Sequence, residues 1–182
     1  MVVAADDPSM HSSQNEQDSR FYGKFALVPV FEPSCQQETY EMTGYGFDLS
    51  ERFRIPVLMR LTTRMAHSRA VVETRDAKTQ NEKSYPAEAR QWVLMPGNSR
   101  ARYKVLIEDY RKLEEEAASS RFNRLSDGPD KSMGIIACGI AYNYLMENFP
   151  DGCPYPVLKI SQYPLPTALV KRLAAECESL LV

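Results

Sequence analysis

A chain of 182 residues is long enough for one or two domains with a substantial hydrophobic core. Hydrophobic residues make up 43% of it and charged residues 25%, as is ordinary for a globular protein, and its net charge is −2. This charge argues against binding to nucleic acid or to an anionic membrane surface, because both need a basic face. The sequence predicts no membrane span, since it has no apolar stretch of about eighteen residues.

The four cysteines, Cys35, Cys138, Cys153 and Cys177, are not in Cys-x-x-Cys spacing. Because the chain adds only two histidines, we predict no metal site built by this chain alone. Scattered cysteines in apolar runs are typical of buried thiols in a reducing cytosol. The N-terminus also lacks the basic region of a signal peptide, so we expect a cytoplasmic protein.

Both ends of the chain have the apolar composition of buried strands, Met1 to Ala5 and Ser179 to Val182. Natural chains rarely begin and end inside core elements. The sequence therefore predicts a fragment of a larger α/β protein, or one subunit of a split one.

The first sixty or so residues predict a strand, a polar loop, a short strand, a helix and a strand, which is half of a doubly wound domain. The short strand lies in the apolar run Phe25 to Phe31, where Pro29 keeps it short or places it at an edge. Ser34 and Gln37 have capping-box spacing, so a helix is expected from there to about Phe53.

The strand that follows this helix is predicted in the near-continuous apolar run Pro56 to Thr63, which is typical of a parallel sheet covered on both faces. Arg64 to Arg69 then forms a second polar loop. Residues 71 to 96 predict an extended linker, which Trp92 to Met95 anchor to a surface. A helix from Asn98 or Ser99 follows, with an apolar stripe at Tyr103, Leu106, Tyr110, Leu113 and Ala117.

The last third of the chain predicts β-α-β-α-β with right-handed crossovers, after a turn cluster at residues 125–130. Its strands are expected at Met133–Ala137, Val157–Ile160 and Leu180–Val182. Its helices are expected at Gly139–Phe149, with Ile140, Tyr144 and Leu145 toward the sheet, and after Pro164–Thr167, with Leu169, Val170 and Leu173 buried. We therefore predict an α/β fold divided into residues 1–70, a linker at 71–129 that carries a helix at about 98–118, and residues 130–182.

The polar loop from Ala5 to Arg20 holds four carboxylates, one histidine, one arginine and several hydroxyls and amides, without apolar periodicity. Two interpretations are open. Loops are polar by default, so it can be plain surface. Ligands of open α/β sheets, however, bind at the carboxyl ends of strands, where this loop would lie.

Four segments in a fixed order carry a resemblance to a known family: Asp6-Asp7-Pro8, Ser12 to Arg20, Pro33 to Glu38 and Arg60 to Arg69. Together they resemble the thiamine-diphosphate-dependent 2-oxoacid:ferredoxin oxidoreductases, in particular the alpha subunits of the indolepyruvate ferredoxin oxidoreductases. Gly139 to Tyr142 and Tyr163 to Pro166 look like the domain of transketolase C-terminal type that follows in this family. The resemblance covers most of the chain and is weakest in the linker.

The resemblance implies that residues 1–70 are the C-terminal half of a pyrimidine-binding domain and that residues 130–182 begin a transketolase C-terminal-like domain. It implies thiamine diphosphate, Mg²⁺ and [4Fe-4S] clusters in the full enzyme, with the diphosphate ligands, the cluster ligands and the pyrimidine-binding glutamate outside this chain. The implied reaction is the oxidative decarboxylation of an arylpyruvate such as indolepyruvate to an acyl-CoA. The implied partners are a beta subunit, ferredoxin, coenzyme A and the arylpyruvate.

The same resemblance suggests roles for six loop residues. Arg20 is the candidate that binds the carboxylate of the 2-oxoacid, because arginine binds carboxylates bidentately. His11 is the candidate that donates to the keto oxygen or helps a proton transfer, since its ordinary pKa lies near neutrality; the alternative is a surface histidine. Candidates for orienting substrate or cofactor are Ser12, Ser13, Asn15 and Glu16; the alternative is that they cap their own turns. A non-catalytic assembly or interaction module that retains the fold is the second functional hypothesis.

Overall fold

The computed structural model describes residues 1–80, 82 and 88–182, which form an α/β fold of two four-stranded mixed sheets with helices. The strands are β1 Val2–Asp6, β2 Val30–Phe31, β3 Leu58–Thr62, β4 Arg124–Ser126, β5 Gly134–Cys138, β6 Val157–Ile160, β7 Gln162–Tyr163 and β8 Leu180–Leu181. The helices are α1 Arg20–Ala26, α2 Gln36–Phe53, α3 Thr63–His67, α4 Pro96–Ala118, α5 Ala141–Glu147 and α6 Thr167–Glu176, with 3₁₀ turns at Pro8–Met10 and Ala89–Trp92. The predicted α/β class is confirmed.

The first sheet has the strand order β1-β3-β2-β7. Strands β1, β3 and β2 are parallel, and β7 pairs antiparallel with β2. The prediction that β1 is buried is wrong. It lies at the edge of the sheet, and Val2 and Val3 are exposed.

The prediction for the run Phe25 to Phe31 is only half right. Its first part belongs to helix α1, which ends where Leu27 takes a left-handed conformation with φ of 57°. On this helix Phe25 points outward and is 90% exposed. Strand β2 is short, as predicted, but it lies between two other strands and not at an edge. Pro29 precedes the two paired residues, so its missing N–H costs the sheet nothing, and its carbonyl accepts a bond from Leu58.

Helix α2 packs over the first sheet as its apolar spacing predicts. Met42 and Leu49 are fully buried and join a core cluster with Phe31 and Met59. A Cβ added at Gly46 would lie 2.9 Å from the Phe31 ring, so glycine allows this close approach of helix and sheet. The helix begins at Gln36, and the side chain that bonds Ser34 is that of Glu38, one residue beyond the predicted partner Gln37.

The segment between the two sheets differs from its prediction in three ways. The predicted polar loop at Arg64–Arg69 is mostly helix α3. Trp92 to Met95 are exposed, so they do not bury an anchor within this chain. The stripe on α4 is buried only in its C-terminal half, at Leu113 and Ala117, whereas Tyr103 is exposed. The linker prediction includes Pro86, which lies outside the described residues.

The second sheet has the order β4-β6-β5-β8, with β6, β5 and β8 parallel and β4 antiparallel to β6. The predicted strands and helices of the last third are present, but part of the turn cluster at 125–130 is strand β4. Leu173 on α6 is buried, whereas Leu169 and Val170 are only partly so. Tyr144 does not face the sheet: it is 41% exposed, and its ring centroid lies 4.9 Å from the guanidinium carbon of Arg64. Strand β8 is exposed and not buried.

Each sheet includes one strand from beyond its predicted boundary. Strand β7, from the last third of the chain, completes the first sheet, and β4, from the predicted linker, completes the second. The division at residues 70 and 130 stays a prediction. None of the helices in the described part of the chain is both long and apolar enough to cross a membrane.

Candidate functional site

Three buried charged side chains meet near the carboxyl ends of the parallel strands in the first sheet. Asp6 ends β1, Glu32 follows β2 directly, and Arg60 projects from the middle of β3. Each is at most 5% exposed. Charges this deeply buried are stable only when they are paired and hydrogen-bonded, so we expect them to form a single network.

Arg60 joins the two carboxylates of this network. Its Nε donates to Asp6 and its Nη1 donates to Glu32. Asp6 also accepts hydrogen bonds from the backbone N–H of Ser19, at 2.7 Å, and from the Ser19 hydroxyl. Burial opposes ionisation of Asp6, but the bonds from Ser19 and Arg60 outweigh it and lower its pKa. The carboxylate of Asp6 therefore ties the start of α1 to the sheet.

Arg20, the predicted carboxylate-binding residue, lies at the edge of this network. Its Nε and Nη2 donate to the two oxygens of Asp18 at 2.8 and 2.6 Å, and its Nη1 lies 3.4 Å from Glu32 Oε2. The hydrogen bond to Asp18 is the largest cause that raises the pKa of Arg20, so its positive charge is secure. These bonds use three of the five N–H donors of a guanidinium, and 33% of the side chain is exposed.

Arg20 lines an open cleft of about 470 Å³, called here the inter-sheet cleft. The helix α1 contributes Arg20, Phe21 and Lys24, and β5 and β7 contribute Cys138 and Tyr163. Arg20 and Lys24 are one helical turn apart and so point to the same side of α1. The lining also includes the carboxylates of Asp18 and Glu114, of which Asp18 is paired with Arg20. The cleft therefore combines charged groups of both signs with an apolar wall, and its two cationic groups suit the anionic end of a ligand that has a hydrophobic body.

Tyr163 and Cys138 form the floor of the cleft and are not charged near neutral pH. The Tyr163 hydroxyl donates to Glu32 Oε2 at 3.1 Å. Burial, followed by the negative charge of Glu32, raises the pKa of Tyr163. Burial likewise raises the pKa of Cys138. Tyr163 therefore acts as a hydrogen-bond donor, and Cys138 has no feature of an activated thiolate.

The polar loop between β1 and α1 is organised around Asp7. Its Oδ2 accepts the backbone N–H groups of Ser12 and Ser13 at 2.7 and 2.8 Å, and its Oδ1 accepts the Thr63 hydroxyl at 2.6 Å. The bond from Thr63 is the largest cause that lowers the pKa of Asp7. Ser12 and Ser13 thus help to hold the loop in shape, which is the alternative that their sequence left open.

The other predicted site residues do not share the cleft with Arg20. His11 and Asn15 are exposed, and Glu16 accepts the backbone N–H of Ser9 at 2.8 Å. Asn15 and Glu16 line a smaller polar depression of about 300 Å³ beside Asp6. The roles assigned to these residues stay predictions, and the structure separates His11 and Arg20 into different surroundings.

Sequence reasoning did not single out Glu32, Arg60 or Tyr163 as site residues. Arg60 carries a usable signal, because a charged residue in a near-continuous buried strand must have a buried partner of opposite charge. Glu32 directly follows the apolar pair of β2, where the carboxyl end of a strand meets the cleft. Tyr163 lies in a segment that carries the resemblance, but nothing in the sequence marked it as a site residue, since its place depends on β7 crossing to the first sheet.

Comparison with known proteins supports the resemblance seen in the sequence. No family model matches the chain. The chain is 42% identical over its whole length to indolepyruvate oxidoreductase subunit IorA of Methanothermobacter marburgensis and 39% identical to that of Archaeoglobus fulgidus, and it covers 30% of each. The IorA subunit of Thermococcus kodakarensis is 41% identical over 81% of the chain, which covers 24% of that relative.

A solved structure of 2-oxoglutarate:ferredoxin oxidoreductase from Magnetococcus marinus, with 2-oxoglutarate, coenzyme A and succinyl-CoA bound, has the same fold over 93% of the chain. The TM-score is 0.56 at 12% identity, and 35% of that chain is covered. The predicted resemblance is thereby confirmed. From end to end the chain is similar to the IorA subunits of indolepyruvate oxidoreductases, and it spans about 30% of the length of those relatives.

Proposed function

We propose that this chain is part of a 2-oxoacid:ferredoxin oxidoreductase that decarboxylates an arylpyruvate, such as indolepyruvate, and transfers the acyl group to coenzyme A. The observation that carries the proposal is the similarity of the whole chain to IorA subunits at 37–42% identity. In this proposal residues 1–70 form half of a pyrimidine-binding domain and residues 130–182 begin a transketolase C-terminal-like domain.

The contribution of this chain is to bind and orient the substrate in the inter-sheet cleft. Arg20 uses its two remaining N–H donors for the carboxylate of the 2-oxoacid, while Asp18 holds the opposite edge of the guanidinium. The ring of an arylpyruvate then lies along the apolar wall that includes Phe21 and Leu165. Because His11, Asn15 and Glu16 do not line this cleft, their proposed contacts with substrate or cofactor lie at the loop itself. Ser12 and Ser13 act through the shape of the loop.

The residues described here do not fit the metal groups that the family implies. They contain no group of three His, Cys, Asp or Glu side chains placed to hold a metal ion. We therefore assign Mg²⁺, the [4Fe-4S] clusters and the diphosphate site of thiamine diphosphate to other parts of the full enzyme. A beta subunit, ferredoxin and coenzyme A are the proposed partners, and the proposed compartment is the cytoplasm.

The test uses the full-length protein assembled with its partner subunit. Reduction of benzyl viologen with indolepyruvate and coenzyme A is measured, together with thiamine diphosphate binding. Arg20→Lys should raise the KM for indolepyruvate about tenfold to a hundredfold, since a charge-assisted bidentate contact contributes about 1.5–3 kcal/mol. Arg172→Lys is the matched control, because Arg172 also pairs with a carboxylate, that of Glu176, but on an exposed helix.

The second candidate function is a non-catalytic assembly module that retains the fold. The exposed apolar side chains on α1 and at Trp92 to Met95 favour it, because surfaces of this kind commonly contact other proteins. Subunit assembly without turnover in the assay above would support the module and contradict the enzyme.

A further inference from the structure

Glu32 connects the buried ion pairs to the cleft. Its Oε1 accepts a hydrogen bond from Arg60, while its Oε2 lies 3.1 Å from the Tyr163 hydroxyl and 3.4 Å from Arg20 Nη1. Its backbone N–H donates to the carbonyl of Ser161 at 2.8 Å. One carboxylate therefore contacts both arginines and a tyrosine, and it is almost completely buried.

Two of the groups that hold Glu32 come from the strands of the last third of the chain. Tyr163 lies on β7, and Gly139 directly follows β5. Gly139 has φ of 50°, and a Cβ added there would lie 2.4 Å from Glu32 Cγ. The stem of Glu32 is thus packed against a backbone that has no room for a side chain, while its head is fixed by the Tyr163 hydroxyl.

The orientation of Arg20 depends on this arrangement. Asp18 holds the Nε and Nη2 groups of the guanidinium and itself lies 3.7 Å from Arg60 Nε, but its bonds do not include the Nη1 group of Arg20. The contact from Glu32 adds a hold on the Nη1 group of Arg20, and this hold is rigid because Glu32 is anchored at its backbone, at Arg60 and at Tyr163.

We propose that Glu32 and Tyr163 are positioning residues, which hold Arg20 in the orientation that binds a carboxylate in the inter-sheet cleft. This inference rests on the proposed function only in taking a 2-oxoacid as the carboxylate that Arg20 binds. It adds that the last third of the chain controls the orientation of Arg20 in the first third. The groups that do so are the Tyr163 hydroxyl and Gly139. Glu32 is not among the residues that line the cleft, and Tyr163 lines it with its hydroxyl already bonded to Glu32, so both act on the carboxylate through Arg20.

The consequence for binding is specific. Removal of the Tyr163 hydroxyl leaves the charge of Arg20 intact but loosens its orientation, so carboxylate affinity falls while later steps are unchanged. Tyr163→Phe should raise the Kd and the KM for indolepyruvate about tenfold, with kcat within about twofold of the wild type. Gly139→Ala should act in the same direction, because its methyl group would displace Glu32.

The test is a double-mutant cycle on the assembled protein with its partner subunit. The Kd of indolepyruvate is measured by calorimetric titration without an electron acceptor, for the wild type, Tyr163→Phe, Arg20→Lys and the double variant. If Tyr163 acts through Arg20, Tyr163→Phe has no further effect in the Arg20→Lys background. Tyr142→Phe is the matched control, since it also removes a phenol hydroxyl bonded to an arginine, Arg124, outside the cleft, and its Kd should equal that of the wild type.

The outcomes separate the two proposals. Independent losses that multiply in the double variant, or an unchanged Kd in Tyr163→Phe, would overturn the positioning role and leave the proposed function standing. Binding that follows the expected cycle without any turnover would support the positioning role and contradict the enzyme. If no variant and not even the wild type binds indolepyruvate, the positioning role is overturned as well. Glu32→Gln should match Tyr163→Phe, and thermal unfolding of each variant shows whether the fold is retained.

Discussion

The side chain of Asn123 offers a sharp test of how the two sheets are joined. It is 6% exposed and makes four hydrogen bonds. Its Oδ1 accepts the backbone N–H groups of Ser161 and Gln162 at 2.8 and 2.9 Å. Its Nδ2 donates to the carbonyls of Ala117 and Gln162 at 2.9 and 2.8 Å. Asn123 thereby holds the turn at which the chain leaves β6 and enters β7.

The substitution Asn123→Ala removes all four bonds at once. Ser161 and Gln162 are completely buried, so two backbone N–H groups lose their acceptor in a dry environment. A buried unsatisfied polar group costs about 1–3 kcal/mol, which gives a loss of about 4 kcal/mol for the two donors. The two carbonyls add less, because each can keep another donor. The expected fall in melting temperature is about 12 °C for a chain of this size.

The assay is urea denaturation followed by circular dichroism, with the slope of free energy against urea compared between variants. Asn148→Ala is the matched control, since Asn148 is exposed and donates to the carbonyl of Tyr144 at 2.7 Å; its change should stay within about 0.5 kcal/mol. A loss below about 1 kcal/mol for Asn123→Ala, at an unchanged slope, would refute the view that this amide closes the junction between the sheets.

Three further predictions concern packing and charge. Gly46→Ala should lower the free energy of unfolding by about 1–3 kcal/mol, because its methyl group would be forced against the buried Phe31 ring. Gly44→Ala, in open space on the same helix, should raise the free energy of unfolding by up to about 1 kcal/mol, and urea titration of both variants checks the pair. Phe25→Ser should change the free energy of unfolding by less than about 0.5 kcal/mol because Phe25 is exposed, while Phe31→Ala should lower it by about 3–5 kcal/mol because Phe31 is buried. Equal losses in thermal unfolding would support a buried strand over the whole run Phe25 to Phe31. The pKa of Asp6 in the folded chain lies below its ordinary value of 3.8, so the stabilisation by its carboxylate is present above that pH and is lost as the pH falls through the folded pKa. Asp6→Asn should therefore flatten the acid limb of the stability–pH curve below about pH 4. An unchanged acid limb would contradict the network.

The sequence predicted the elements that depend on local pattern. Helix α2 and strands β1, β3, β5 and β6 follow from apolar spacing and caps, within two or three residues of their observed bounds. Besides the short helices α1 and α3, the missed elements depend on tertiary contacts. Strands β4 and β7 are two or three residues long, and each forms only because a strand distant in sequence lies beside it.

The candidate site was predicted less completely than the fold. The loop that follows β1 was identified, and Arg20 does line a cleft. The loop residues, however, mostly bond one another, and this pattern cannot be told from a ligand site by composition alone. The partner that positions Arg20 was missed, because Glu32 and Tyr163 come together only through the crossing of β7.

The crossing of β7 into the first sheet has a consequence for how the chain can come apart. The first sheet is completed by β7, a strand from the last third of the chain, whereas β4, which precedes β5 in sequence, completes the second sheet. The first sheet therefore cannot separate from the last third of the chain without losing β7. A calorimetric trace should therefore show one cooperative endotherm, and two separately expressed halves cut near residue 130 should gain order only when they are mixed.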